Sequence, residues 1–99
     1  MGLRKITWDK QAIIYLRESI KYIRKDSPQN AETVKNDILG KINELPTKPE
    51  IYNPDKYKTN NNGDYRAFEI HRLRVSYLIK DDEIIIARVR NTRQAPIDY

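Results

Sequence analysis

The feature that most constrains this chain is an alternation of apolar and polar residues in its last third, residues 65–99. In the middle of that region the odd-numbered positions carry Leu73, Val75, Tyr77 and Ile79, and the even-numbered positions include Arg74. In a later run, Ile85, Ala87 and Val89 alternate with Ile86, Arg88 and Arg90. A period of two residues is typical of a strand with one buried face, which leaves the other face free to be basic. We therefore expect three strands that form an antiparallel meander.

The two connections between these strands set which side chains face each other. A turn at His71-Arg72 places Phe68 opposite Val75 and Ile70 opposite Leu73. For the second connection, a two-residue turn would divide the apolar residues between both faces, because a one-residue slip turns every side chain over. A three-residue connection at residues 81–83 avoids this. It pairs Ile79 with Ile85, Tyr77 with Ala87 and Val75 with Val89.

The predicted register gathers charged residues on the open face. Glu69, Arg74 and Arg90 fall in one cross-strand row, and Ser76 and Arg88 fall in the next. Like charges directly opposite each other destabilise a sheet. Guanidinium groups also bind phosphates and carboxylates through two parallel hydrogen bonds. The open face is therefore a candidate anion site.

The first half of the chain predicts a short strand and two helices. Residues 5–8 form an apolar, β-branched run, and Asp9 can then cap a helix that extends to about Lys25. Ser27 and Pro28 fit the N-cap and first position of a second helix, which ends before Pro46. The helical apolar positions are Ile13, Leu16, Ile20 and Ile23, then Ala31, Val34, Ile38, Ile42 and Leu45. Two such stripes favour an antiparallel helical hairpin that packs on the apolar face of the sheet.

Composition excludes several kinds of protein. The 99 residues suffice for a single domain over residues 1–99 with one small core. The chain has no cysteine and one histidine, so we expect neither a disulfide framework nor a metal site. It has no long apolar run and no signal-peptide pattern, so we expect a cytoplasmic protein without a membrane segment. The net charge of +5 favours an anionic partner.

The ordered set of elements resembles the RelE/ParE superfamily of bacterial type II toxins. The pieces that carry the resemblance are Tyr65-Arg66, the run Leu73 to Tyr77, the 81–83 turn, the run 84–89, Arg93 and Tyr99. The resemblance implies an α+β fold with an N-terminal strand, an antiparallel helical hairpin and a three-stranded antiparallel meander packed on the helices. It also implies neutralisation by a cognate antitoxin. The basic face and the hairpin grooves suit an acidic, amphipathic antitoxin segment.

Residue roles follow from the ribosome-dependent members of this superfamily, which cleave mRNA without a metal or other cofactor. By resemblance, Arg74 contacts the scissile phosphate, Arg93 stabilises the transition state, and Tyr99 stacks on a base or assists proton transfer. Glu69 is the candidate general base. The expected RNA-binding residues are Arg66, Arg88 and Arg90.

Some residues depart from the nuclease pattern. Phe68 occupies a position where lysine moves a proton in one nuclease branch, and the single histidine, His71, lies in a predicted turn. The long helical hairpin is a trait of the branch that inhibits DNA gyrase by binding. Three readings therefore stay open: a ribosome-dependent mRNA endonuclease, which the arginines favour; a gyrase inhibitor; and an inactive homologue that binds only an antitoxin.

Overall fold

One mixed four-stranded sheet carries a helical hairpin on one face. The computed structural model describes residues 3–99. Its elements in chain order are β1 (Lys5–Trp8), α1 (Lys10–Asp26), α2 (Pro28–Glu44), β2 (Tyr65–Ile70), β3 (Leu73–Ile79) and β4 (Glu83–Asn91). The strand order is β1-β4-β3-β2, with β1 parallel to β4 and the other pairs antiparallel. This arrangement confirms the predicted α+β fold and adds the parallel position of β1.

Side-chain caps define the starts of both helices, as predicted. Asp9 Oδ1 accepts a hydrogen bond of 2.9 Å from the Gln11 amide, and Ser27 Oγ accepts one of 3.1 Å from the Asn30 amide. Each cap satisfies an amide that has no partner inside its helix. Pro28 takes the first position of α2, where its missing N–H costs nothing. Neither helix of residues 3–99 is long and apolar enough to cross a membrane.

The core lies between the helical hairpin and the sheet. The apolar stripe of α2 is fully buried from Ala31 to Ile42, as is Leu45 directly after the helix, whereas α1 buries Leu16 and Ile20 together with Ala12. These residues pack against the inner face of the sheet, which presents Phe68, Leu73, Val75, Tyr77, Ile84, Ile86 and Val89. The packing fixes which face of the sheet remains open for other contacts.

The register of β4 differs from the prediction in its first half. The Val75–Val89 pair is correct, but Tyr77 pairs with Ile86 and Ile79 with Ile84, so their predicted partners Ala87 and Ile85 were wrong. The connection is a two-residue turn, closed by a 2.9 Å hydrogen bond from the Lys80 amide to the Glu83 carbonyl. A bulge then skips Ala87 and restores the predicted register from Arg88 onward. The extra residue keeps apolar side chains inward on both sides of the bulge.

The first hairpin has the predicted register and an unusual turn. Phe68 lies opposite Val75 and Ile70 opposite Leu73. Both turn residues have positive φ, 53° at His71 and 64° at Arg72. This turn geometry matches the twist of antiparallel strands but strains residues that carry a Cβ atom.

Residues 45–64 cross the outer edge of the sheet. The Asp55 amide donates to the Tyr65 carbonyl at 2.9 Å, and the Ala67 amide donates to the Asn53 carbonyl at 3.2 Å. Buried Tyr77 holds the start of the crossing, because its hydroxyl donates to the Pro49 carbonyl at 2.6 Å. Burial raises the pKa of Tyr77 to about 12, so the hydroxyl keeps its proton. The segment pairs with β2 through these contacts, and it delivers Asp55 to the open face.

Candidate functional site

The predicted charged rows exist on the open face of the sheet. Glu69 lies opposite Arg74 and Arg74 opposite Arg90, while Ser76 pairs with Arg88 in the next row. A cavity of about 270 Å³ lies over these rows. One wall is the crossing around Asp55, and the other is the segment that follows β4, residues 94–99.

Arg74 is held by two carboxylates. Its Nη1 donates to Glu69 Oε2 and its Nη2 to Asp55 Oδ1, both at 2.8 Å. The guanidinium carbon also lies 4.8 Å from the centre of the Tyr57 ring. Burial alone lowers the pKa of Arg74, but its two ion pairs outweigh that effect and raise the pKa above its ordinary value. The charge of Arg74 is therefore already balanced within the chain.

Asp55 is the most deeply buried charge of the site. Its side chain has no solvent exposure, compared with 16% for Arg74. Burial alone would raise the pKa of Asp55, but hydrogen bonds from Tyr99, Arg74 and the Tyr57 amide together hold it below the ordinary value of 3.8. The carboxylate is thus a charged anchor for the groups that surround it.

Tyr99 is fixed on the open face. Its amide donates to the Tyr57 carbonyl at 2.9 Å, its carbonyl accepts from the Thr59 amide at 2.7 Å, and its hydroxyl donates to Asp55 Oδ2 at 2.5 Å. The ring lies between two cations, 4.4 Å from the Arg88 guanidinium carbon and 5.4 Å from Lys58 Nζ. Burial and the neighbouring carboxylate raise the pKa of Tyr99 well above 10, which disfavours its use as a base.

Arg88 and Arg90 complete the cavity. Arg88 Nη1 donates to the Ile97 carbonyl at 2.8 Å. Residues 94–99, the tail, therefore orient this guanidinium. The side chain of Arg90 makes no hydrogen bond or ion pair with any other residue in the range 3–99. Of the predicted site residues, the fold brings together Glu69, Arg74, Arg88, Arg90 and Tyr99.

Arg66 and Arg93, in contrast, lie away from this cavity. Arg66 donates from Nη1 to the Tyr52 carbonyl at 2.8 Å and from Nε to the Gly63 carbonyl at 3.1 Å, which stabilises the crossing segment. Arg93 lines a groove between α1 and the His71-Arg72 turn. Neither arginine lines the cavity that contains Arg74.

The other two residues discussed from the sequence have structural contacts. Phe68 is 5% exposed and packs on the Tyr52 ring, with centroids 4.9 Å apart. His71 Nε2 lies 2.7 Å from Asp37 Oδ2 and so links the first turn to α2. A turn position for His71 agrees with the sequence interpretation.

Asp55 is the site residue that sequence reasoning missed. It lies in an irregular segment rather than in a strand, so no alternation pattern marks it. The available signal was a single acid after Pro54, a combination that initiates turns. Indeed Asp55 Oδ1 accepts a hydrogen bond of 3.1 Å from the amide of Tyr57, two residues further on.

The candidate proton-transfer groups of the site already contact other residues. One oxygen of Glu69 accepts from Arg74, although the Glu69 side chain is 49% exposed, and the Tyr99 hydroxyl donates to a buried carboxylate. Among residues 3–99, no cluster of three or more His, Cys, Asp or Glu side chains could hold a metal ion. What remains available to a ligand is the pair of arginines on β4.

Comparisons with known proteins agree with this fold. A search of curated proteins found no match. The chain is similar to a solved structure described as the chromosomal ParDE TA system from P. aeruginosa, with a TM-score of 0.69, 16% identity, and coverage of 90% of this chain and 96% of that one. It is also similar to the YoeB dimer from Staphylococcus aureus, with a TM-score of 0.51, 22% identity, and coverage of 90% and 97%. Both likenesses are at the level of the fold.

A family model gives the more specific result. The model of the ParE toxin of type II toxin-antitoxin systems, parDE, matches residues 6–96. That range includes all six helices and strands apart from the first residue of β1. The chain therefore belongs to the ParE family of type II toxin–antitoxin toxins.

Proposed function

We propose that this toxin is neutralised by an acidic antitoxin and acts on DNA gyrase by binding, without cleaving mRNA. The observation that carries the proposal is the double ion pair of Arg74 with Asp55 and Glu69. This arginine is the residue that the nuclease hypothesis needs most. Both of its Nη atoms already donate to carboxylates, and its buried Nε has no partner among residues 3–99. A phosphate would have to displace one of the carboxylates or lie beside two negative charges.

Proton transfer has equally little support at this site. Nuclease action requires a base for the 2′-hydroxyl and an acid for the leaving oxygen. Glu69 is engaged with Arg74, the Tyr99 phenol has a raised pKa, and Phe68 replaces the lysine found in one nuclease branch. Arg93, the expected transition-state stabiliser, borders a different groove. These contacts favour a toxin that works through its surface.

The ribosome-dependent nuclease is the main competing hypothesis. It would require the antitoxin-free toxin to release Arg74 from its carboxylates when it enters the ribosome. Both proposed targets lie in the cytoplasm, which is where we expect the toxin to act. An assay that measures both activities separates the two hypotheses.

The test adds the purified chain to two reactions. One contains gyrase and relaxed plasmid, and it measures supercoiling and the release of linear DNA by detergent and protease. The other is a translation extract, in which the 5′ ends of a defined mRNA are mapped. The proposal predicts inhibited supercoiling or trapped cleaved DNA with intact mRNA. Translation-dependent mRNA cleavage without any effect on gyrase would refute it.

A substitution that removes one negative charge adds a second criterion. Glu69→Gln removes the candidate base, so under the nuclease hypothesis mRNA cleavage should fall by roughly 100-fold or more. The matched control is Glu44→Gln, since Glu44 is exposed at the end of α2 and its side chain has no partner within residues 3–99. If toxicity in cells collapsed only with Glu69→Gln and mRNA ends changed in parallel, the nuclease hypothesis would replace ours.

A further inference from the structure

The three arginines of the open face differ in how their charge is balanced. Arg74 contacts two carboxylates, Arg88 contacts a neutral carbonyl, and Arg90 contacts no acceptor among residues 3–99. The cavity is lined by four cations, Lys56, Arg74, Arg88 and Arg90, against two carboxylates, Asp55 and Glu69. Because both carboxylates contact Arg74, three cations are left unbalanced: Arg88 and Arg90 on β4, and Lys56 on the crossing segment.

The position of Arg90 opposes sheet stability. Arg90 is directly opposite Arg74 in the cross-strand pairing, where like charges are unfavourable. Both carboxylates of the cavity contact Arg74 and leave Arg90 unpaired. An external anion beside Arg90 would remove this imbalance.

Arg88 is prepared for the same anion. One of its nitrogens is held by the Ile97 carbonyl, and its guanidinium carbon lies 4.4 Å from the centre of the Tyr99 ring. These two contacts restrict the group and leave the remaining N–H donors of its guanidinium for a ligand. A donor that is already oriented loses less entropy when the ligand binds.

From these observations we propose that the cavity binds a carboxylate side chain of the antitoxin, with Arg90 as the main donor and Arg88 as the second. The inference rests on the proposed function only in taking the antitoxin as the partner. It assigns to this partner the same open face that the nuclease hypothesis assigns to mRNA.

The shape and charge of the cavity favour a carboxylate over a nucleic-acid phosphate. Its volume of about 270 Å³ is sufficient for a carboxylate side chain. Ala95, Pro96 and Ile97 give it an apolar wall, which suits the neighbouring residues of an amphipathic peptide. A nucleic-acid strand carries one charge per nucleotide. It would therefore bring further phosphates close to Glu69 and Asp55.

The experiment measures the affinity of the chain for its cognate antitoxin, purified separately, by titration calorimetry. Arg90→Gln should weaken binding by about 10-fold or more, because a charge-assisted, two-point contact is lost. Arg90→Lys, which keeps the charge but loses the planar fork, should give an intermediate loss. The matched control is Arg17→Gln, the same change at an exposed position of α1 outside the cavity.

Each outcome has a distinct meaning. Arg90→Gln removes a like-charge contact, so it should fold at least as well as the parent chain, and thermal unfolding verifies this. The inference is overturned if Arg90→Gln and Arg17→Gln have equal effects, or if a single-stranded RNA or a DNA duplex competes with the antitoxin for the parent chain but not for Arg90→Gln. Failure of the parent chain itself to bind the antitoxin would overturn the proposed partner as well. If the parent chain bound the antitoxin but did not inhibit gyrase, only the proposed target would be overturned.

Discussion

The Tyr99 hydroxyl donates a hydrogen bond to Asp55 Oδ2 and so joins two residues that are 44 positions apart. The same carboxylate holds Arg74 through its other oxygen. A single buried acid thus connects the crossing segment, strand β3 and the tail. The open face depends on this connection for its shape.

Removal of the Asp55 charge should strongly destabilise the fold. Asp55→Asn breaks a buried ion pair and should lower the free energy of unfolding by about 3 kcal/mol. Tyr99→Phe removes one hydrogen bond to a charged acceptor and should lower it by about 2 kcal/mol. Urea unfolding measures both changes. Tyr22→Phe serves as the control, because Tyr22 is 72% exposed. If Tyr99→Phe destabilised the fold as little as this control does, the role of the Tyr99–Asp55 hydrogen bond would be contradicted.

The Asp55 carboxylate should also make stability depend on acid pH. Its pKa is lowered in the folded state, so the unfolded chain binds the proton more readily. The contribution is therefore complete well above the ordinary pKa of 3.8 and is lost as the pH falls through the lower, folded value. Urea unfolding of the parent chain and of Asp55→Asn, from neutral pH to about pH 2, should give two curves that converge in acid. Parallel curves across this range would count against an ionised Asp55.

The extra residue at Ala87 should be dispensable for the arginine face. Deletion of Ala87 would leave Tyr77 opposite Ile86 and Val75 opposite Val89, with Arg88 still on the open face, so the apolar and basic side chains keep their faces. We expect the deletion variant to fold, with a loss of about 1 kcal/mol or less in the free energy of unfolding. Ala87→Gly keeps the extra residue and should also cost less than about 1 kcal/mol. A deletion variant that fails to fold, or that loses far more stability in urea than Ala87→Gly does, would show that the bulge is essential.

The first turn offers a stabilising substitution. Arg72 has a φ of 64°, a conformation that costs a residue with a Cβ atom about 1–2 kcal/mol. Arg72→Gly should relieve this strain and raise the free energy of unfolding by about 1 kcal/mol after the entropy of glycine is included. The backbone contact of Arg72 remains possible, since its carbonyl accepts from the Thr92 amide at 2.8 Å. Arg72→Ala, which keeps the strain, should give no gain in a denaturant titration.

The strand connection shows where sequence reasoning reached its limit. The sequence allows two turn lengths at residues 81–83, and burial of the apolar side chains favours the longer turn for the whole strand. In the structure, Ile79 has the register of the two-residue turn, whereas Val75 has the register expected for the three-residue turn. The unpaired Ala87 on β4 separates the two parts. An alternation pattern assumes a constant period of two, and a bulge breaks that period without any distinctive residue.

Local patterns in the sequence determined the two helices, their caps at Asp9 and Ser27, the four strands and the row that joins Glu69, Arg74 and Arg90. These features depend on neighbours within a few positions or on the two-residue period of a strand, and both can be read along the chain. Tertiary structure alone decided that Asp55 reaches Arg74, that Tyr99 is held by Asp55, and that Arg66 and Arg93 lie outside the cavity. Those contacts join segments that are distant in sequence. A buried charge must be paired, but any segment that the fold brings near can supply the partner, so no local pattern identifies it.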